Sequence, residues 1–122
     1  MRVITPTPED VTATAAAEMT GLASPSRGSV ELSTWKVAIP AATAGPEHVI
    51  DREQIWMVTA GSIEVTADGR TERVDRGQTL VLPAGAVRAV KTTDEPAKAF
   101  VAMAADGGVL IEGERRPVPW AR

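Results

Sequence analysis

The sequence has no cysteine and no tyrosine, a single histidine, one phenylalanine and three tryptophans. Without cysteine there are no disulfides, no thiolate metal sites and no cysteine nucleophile. There is no basic stripe either. The 13 Lys and Arg and the 16 Asp and Glu are interspersed, for a formal net charge of −3. Nothing here neutralises a run of phosphates, so no nucleic-acid partner is expected. No segment approaches the roughly 20 apolar residues of a membrane span. The opening MRVITPTPEDV lacks the basic start and apolar stretch of a secretory signal. No membrane partner is therefore expected, and a cytoplasmic location is.

What is present is an ordinary globular balance, 43% hydrophobic and 24% charged over 122 residues, enough for one domain with a real core. Residues 1–28 stand apart as an N-terminal arm. A strand is expected at 2–5. Thr7-Pro8-Glu9-Asp10 has the order of a helix start: a capping threonine, proline at the first position and acids in the first turn. The Ala-rich run from Ala13 to Glu18 would extend it, although Thr12 and Thr14 oppose a helix. Gly21 and the segment SPSRGS, residues 24–29, then interrupt regular structure. Such an arm is ordered only by packing on the main domain or on a partner subunit.

From Val30 the chain reads as strands. Rough alternation covers 30–39 and stops at Pro40, and a loop leads to His48. Further strands are expected at 53–61, at 79–83 after Gly77, at 86–92 after the turn Pro83-Ala84-Gly85, at 98–105 and at 109–112. Between them, Asp68-Gly69 sits between two alternating runs and favours a two-residue hairpin turn with positive φ. Many short strands, Gly and Pro punctuation and no helical period after residue 20 define an all-β sandwich or barrel. The barrel is expected over 29–112, with 113–122 as a Pro-rich tail packed on it.

Two spaced motifs carry a resemblance. Five residues separate Ala42 from His48, three separate Ile50 of His48-Val49-Ile50 from Gln54, and six separate Gln54 from Gly61. Gly77 is followed by five residues and Pro83-Ala84-Gly85, then by Arg88 and Thr92. The chain thereby resembles the small single-domain bacterial cupins of the RmlC-like superfamily. Their first motif runs Gly, His-x-His, Glu, Gly, and their second runs Gly, Pro-x-Gly, His, Asn, at these spacings. The resemblance implies a double-stranded β-helix, a jelly-roll barrel, and a homodimer. The tail PVPWAR is also similar to the ending of some of these proteins.

The resemblance further implies four metal ligands, and these positions hold His48, Ile50, Gln54 and Arg88. Ile50 coordinates nothing, Arg88 is a permanent cation, and the Gln54 amide lacks a carboxylate's charge. No cofactor is expected. If a divalent transition metal were held, His48 and Gln54 would be its ligands, with recruits from Glu47, Asp51 or Glu53.

Strand parity sets the pocket wall. If Gln54 points inward, so do Trp56 and Val58; likewise Arg88 with Val90, and His48 with Ile50. The ligand-binding set is then His48, Ile50, Gln54, Trp56, Arg88 and Val90. Arg88 has two readings. It binds a ligand carboxylate or phenolate oxygen in a bidentate way with Trp56 stacked on it. Otherwise it lies at the rim or pairs with Glu47 or Glu53. His48, the one side chain that ordinarily titrates near neutrality, is the catalytic candidate, set beside binding and structural roles. Trp35 and Trp120 are assigned to core volume, a barrel mouth or a subunit contact.

Three functions remain open at this point. The first is a metal-independent binding protein for an anionic or polar organic molecule. The second is an enzyme of the isomerase, cyclase or dioxygenase type, using His48 as acid or base or an atypical metal site. The third is a scaffold acting through oligomer or partner contacts. Fold alone does not choose among them.

Overall fold

Two six-stranded antiparallel sheets face each other across a shared core. The computed structural model describes residues 1–122. The strands are β1 (Val11–Ala13), β2 (Glu18–Gly21), β3 (Leu32–Ile39), β4 (His48–Ile50), β5 (Gln54–Ala60) and β6 (Ser62–Ala67). They continue with β7 (Arg70–Asp75), β8 (Thr79–Leu82), β9 (Val87–Lys91), β10 (Ala97–Ala104), β11 (Gly108–Ile111) and β12 (Glu114–Pro117). One sheet runs β1-β2-β3-β10-β5-β8, the other β12-β11-β4-β9-β6-β7. This is the expected jelly-roll, all-β and antiparallel. No helix is long and apolar enough to cross a membrane.

Alternation is cleanest in β3 and β10. Ser33, Trp35, Val37 and Ile39 are buried on one, and Ala97, Ala99, Val101 and Met103 on the other. Val101 sits opposite both Trp35 of β3 and Trp56 of β5, so its register brings the two indoles onto one inner face. The β6–β7 hairpin turns at Asp68 and Gly69, with φ of 49° and 80°, which is the positive-φ pair foreseen for that dipeptide.

The N-terminal arm differs from expectation. No strand forms at 2–5, and the helical signal at Thr7 yields only a single 3-10 turn, Pro8–Asp10. The Ala-rich run is not helical but the bend of a β1–β2 hairpin, where Thr14 N–H donates to Ala17 O at 2.8 Å. Thr14 Oγ1 also accepts from the Ala16 and Ala17 amides, a local bond that competes with helix formation. The tertiary gain decides the matter. β2 pairs with β3, covers its edge and buries Met19. The tail is likewise more ordered than its prolines suggest: β12 pairs with β11, and a 3-10 turn at Pro119–Ala121 follows. Val118 and Ala121 are part of the core.

Candidate functional site

The hydrophobic interior of the barrel is not filled. A cavity of about 310 Å³ remains at its centre, and its wall includes His48, Ile50, Gln54, Trp56 and Val90. These are five of the six residues assigned by strand parity. The alternation of β5 delivers Gln54 and Trp56 together, with Met57 pointing out. From β4, Ile50 is buried and His48 half-buried.

Arg88 is the exception. Its side chain turns inward as parity requires and is only 1% exposed, but it does not line the cavity. Nη2 donates to Pro83 O at 2.7 Å, Nε to Ala86 O at 3.1 Å, and Nη1 to Gln54 Oε1 at 3.2 Å. Glu47 and Glu53 are exposed, and no carboxylate forms an ion pair with the guanidinium. Neither sequence reading of Arg88 describes this arrangement. The carbonyls of Pro83, in the turn before the strand that carries Arg88, and of Ala86, just after that turn, take up the guanidinium, and no acid reaches it. Burial pushes the Arg88 pKa down, with the charge of Asp68 acting in the opposite sense.

Gln54 is the hub of the polar wall. Its Oε1 also accepts from Trp56 Nε1 at 3.1 Å, while Nε2 lies 3.6 Å from Met103 Sδ. His48 Nδ1 is 3.1 Å from Pro46 O. A carbonyl only accepts, so Nδ1 carries the hydrogen and Nε2 of the neutral ring is an acceptor. Thr92, at the second motif's last position, donates to Pro40 O and accepts from Thr43 N–H at 3.1 Å, tying down the loop before β4.

The rest of the lining comes from segments outside the two motifs. Met19 and Ala17 arrive from the N-terminal hairpin, Trp35 and Val37 from β3, and Val118 and Trp120 from the tail. All three tryptophans of the chain therefore meet at one cavity. Their number in so aromatic-poor a sequence was the available signal, but only the pairing of β10 with both β3 and β5 and the return of the tail bring them together. The Trp120 indole N–H is buried without a hydrogen-bond partner. No Asp, Glu, Lys or Arg lines the cavity.

The four ligand positions do not make a metal site. Ile50 offers hydrocarbon, Arg88 is a donor only, and the Gln54 oxygen is occupied by two donors. His48 is the one remaining ligand atom of the set, and no group of three His, Cys, Asp or Glu side chains converges anywhere in the molecule. A larger concavity, of about 570 Å³, lies between β7 and β8, but its arginines are spent in exposed pairs with neighbouring acids, Arg70 with Glu72 and Arg73 with Asp75.

Two antiparallel sheets packed face to face around an interior cavity define the class as a double-stranded β-helix barrel. Residues 35–103 match the family model of the cupin domain, Cupin_2, over more than half of the chain, and the protein belongs to the cupin family. Solved structures agree on the fold. KdgF from Halomonas sp. superposes with a TM-score of 0.72 at 16% identity, over 86% of this chain and 94% of that one. The polyketide cyclase RemF from Streptomyces resistomycificus does so with a TM-score of 0.71 at 20% identity, over 96% and 82%. The DMSP lyase DddQ from Ruegeria pomeroyi DSS-3 gives 0.66 at 23% identity, over 84% of this chain and 56% of the lyase, so the chain spans little more than half of that enzyme's length. No curated protein matches the sequence.

Proposed function

We propose that this cupin binds a small, uncharged, largely apolar organic molecule inside the barrel, without a metal. The observation that carries the reading is the charge-free cavity of about 310 Å³, in the size range of small-molecule sites. Of the anionic or polar ligand expected from sequence, the anionic class lacks a partner there, because the one nearby cation is already bonded to two carbonyls and an amide oxygen. A fully charged ligand would lose its hydration without compensation. Tryptophan faces offer a flat apolar molecule large contact area.

The test is a thermal-shift and calorimetric screen of neutral bicyclic aromatics against their carboxylate counterparts. Neutral compounds are expected to raise the melting temperature, since a ligand of the folded state stabilises it. Ala17→Phe, which pushes a ring into the cavity, is expected to abolish the shift. Selective stabilisation by the carboxylates would overturn the reading, as would a stoichiometric transition metal in purified protein.

A second reading, acid–base catalysis by His48, is favoured by the free Nε2 at the cavity wall. Turnover that vanishes in His48→Gln while binding persists would support it. We further propose a homodimer formed through the outer face of the first sheet. Phe100 and Met57 are cross-strand neighbours there and both are exposed, and Ile55 lies beside Val81. These four side chains form an apolar patch on a face that otherwise carries Lys36, Lys98, Thr59 and Thr79, and an exposed apolar patch of this kind marks a contact surface.

A further inference from the structure

The orientation of the Gln54 amide is decided by its neighbours, and that decides what the cavity can recognise. A glutamine amide can present either its oxygen or its nitrogen to a given partner, and the hydrogen-bond network selects which. Trp56 Nε1 and Arg88 Nη1 are donors only, and both point at the same atom of Gln54. That atom must be the oxygen. The NH₂ group is thereby turned the other way, with one hydrogen directed at Met103 Sδ, a weak acceptor at 3.6 Å. Its second hydrogen has no partner, although Gln54 is only 4% exposed and lines the cavity. A buried amide hydrogen left unsatisfied is costly.

His48 supplies the opposite polarity. Pro46 O holds the Nδ1 hydrogen, and Nε2 makes no bond within the protein. The cavity wall thus holds one free acceptor on β4, the fixed Gln54 donor on β5 and, from the tail, the unpaired indole N–H of Trp120, with no charged side chain.

We propose that the ligand is an uncharged aromatic hydroxy-carbonyl compound. Its carbonyl oxygen accepts from Gln54 Nε2, its hydroxyl donates to His48 Nε2, and its rings lie among Trp35, Trp56 and Trp120. This rests on the barrel cavity being the binding site, as proposed above. Arg88 is then a positioning residue: it never touches the ligand and acts by holding the amide of Gln54.

Three bicyclic probes of nearly equal size separate the contributions. Hydroxytetralone carries both groups, tetrahydronaphthol lacks the carbonyl, and tetralone lacks the hydroxyl. By calorimetry the wild-type protein is expected to bind hydroxytetralone on the order of tenfold more tightly than either of the others, the effect of one satisfied hydrogen bond. Gln54→Glu keeps an oxygen for Trp56 and Arg88 but replaces the donor with a second acceptor. In that variant the advantage over tetrahydronaphthol is expected to vanish, and the advantage over tetralone to remain. Equal affinity of all three for the wild type overturns the proposal and leaves the cavity as an apolar binding site. So does a carbonyl preference that survives in Gln54→Glu. If none of the three binds the wild-type protein, both the proposal and the binding reading fall.

Discussion

Arg88 and Gln54, separated by 34 positions, share a hydrogen bond of 3.2 Å between Nη1 and Oε1, and both are almost wholly buried. In the metal-binding pattern of the family these two positions would each supply a ligand. Here one is a cation and the other an amide that accepts from it, so the pair closes on itself and leaves the cavity uncharged.

Removing the cation leaves the Pro83 and Ala86 carbonyls without these donors and opens a void. Arg88→Ala is expected to lower the free energy of unfolding by about 3 kcal/mol. Arg88→Met, which fills the volume but donates nothing, is expected to recover only part of this. Urea denaturation of the three proteins measures the difference. A loss below ~1 kcal/mol in Arg88→Ala would mean that the three bonds contribute little.

The two motif glycines that open and close the β6–β7 region are not equivalent. Gly61 has φ of 65°, and a Cβ there would meet Pro96 O at 2.1 Å. Gly77 has φ of 88° with open space around it. Gly77→Ala carries only the backbone strain, about 1 kcal/mol, whereas Gly61→Ala must also displace the chain before β10. Thermal melts are expected to rank Gly61→Ala far below Gly77→Ala.

Ala42 occupies the motif's opening glycine position with φ of 52°. An alanine there carries strain of roughly 1–2 kcal/mol that glycine lacks, and glycine gives back ~0.4–1 kcal/mol of that through the freedom of the unfolded chain. Ala42→Gly is therefore expected to raise stability slightly, by about 0.5 kcal/mol. An unchanged or lower denaturation midpoint would contradict this.

One carboxylate ties the N-terminal arm to itself, and two tie the β11–β12 hairpin region to the loop after β4. The Thr7 amide, with Arg27, lowers the Asp10 pKa, and Arg52 lowers that of Asp106. Burial acts to raise that of Asp51, but Arg115 and the Gly108 amide outweigh it and the net shift is downward. Each is held below its unfolded value, so its contribution is complete above the ordinary carboxylate range and is lost as pH falls through it. The melting temperature is expected to decline below about pH 4, and to decline less steeply in Asp51→Asn.

The apolar patch of Phe100, Met57, Ile55 and Val81 on the outer face of the first sheet predicts self-association. Sedimentation velocity is expected to give a dimer for the wild type and a monomer for Phe100→Glu. A monomeric wild type at micromolar concentration would remove the homodimer.

The sequence by itself determined the strands β3 and β5 to β11, the Asp68-Gly69 turn, the two motifs and the inward set on β4, β5 and β9, because a period of two and a turn dipeptide are local properties. It also determined that the ligand positions could not hold a complete metal donor set, since that follows from residue type alone. The tertiary structure decided where the Arg88 charge is spent, that the Ala-rich arm becomes a hairpin, and that three tryptophans from β3, β5 and the tail converge on one cavity. Partners across a sheet or around a turn are fixed by how distant segments pack. A guanidinium that parity aims inward still goes to whichever carbonyls the fold brings within reach.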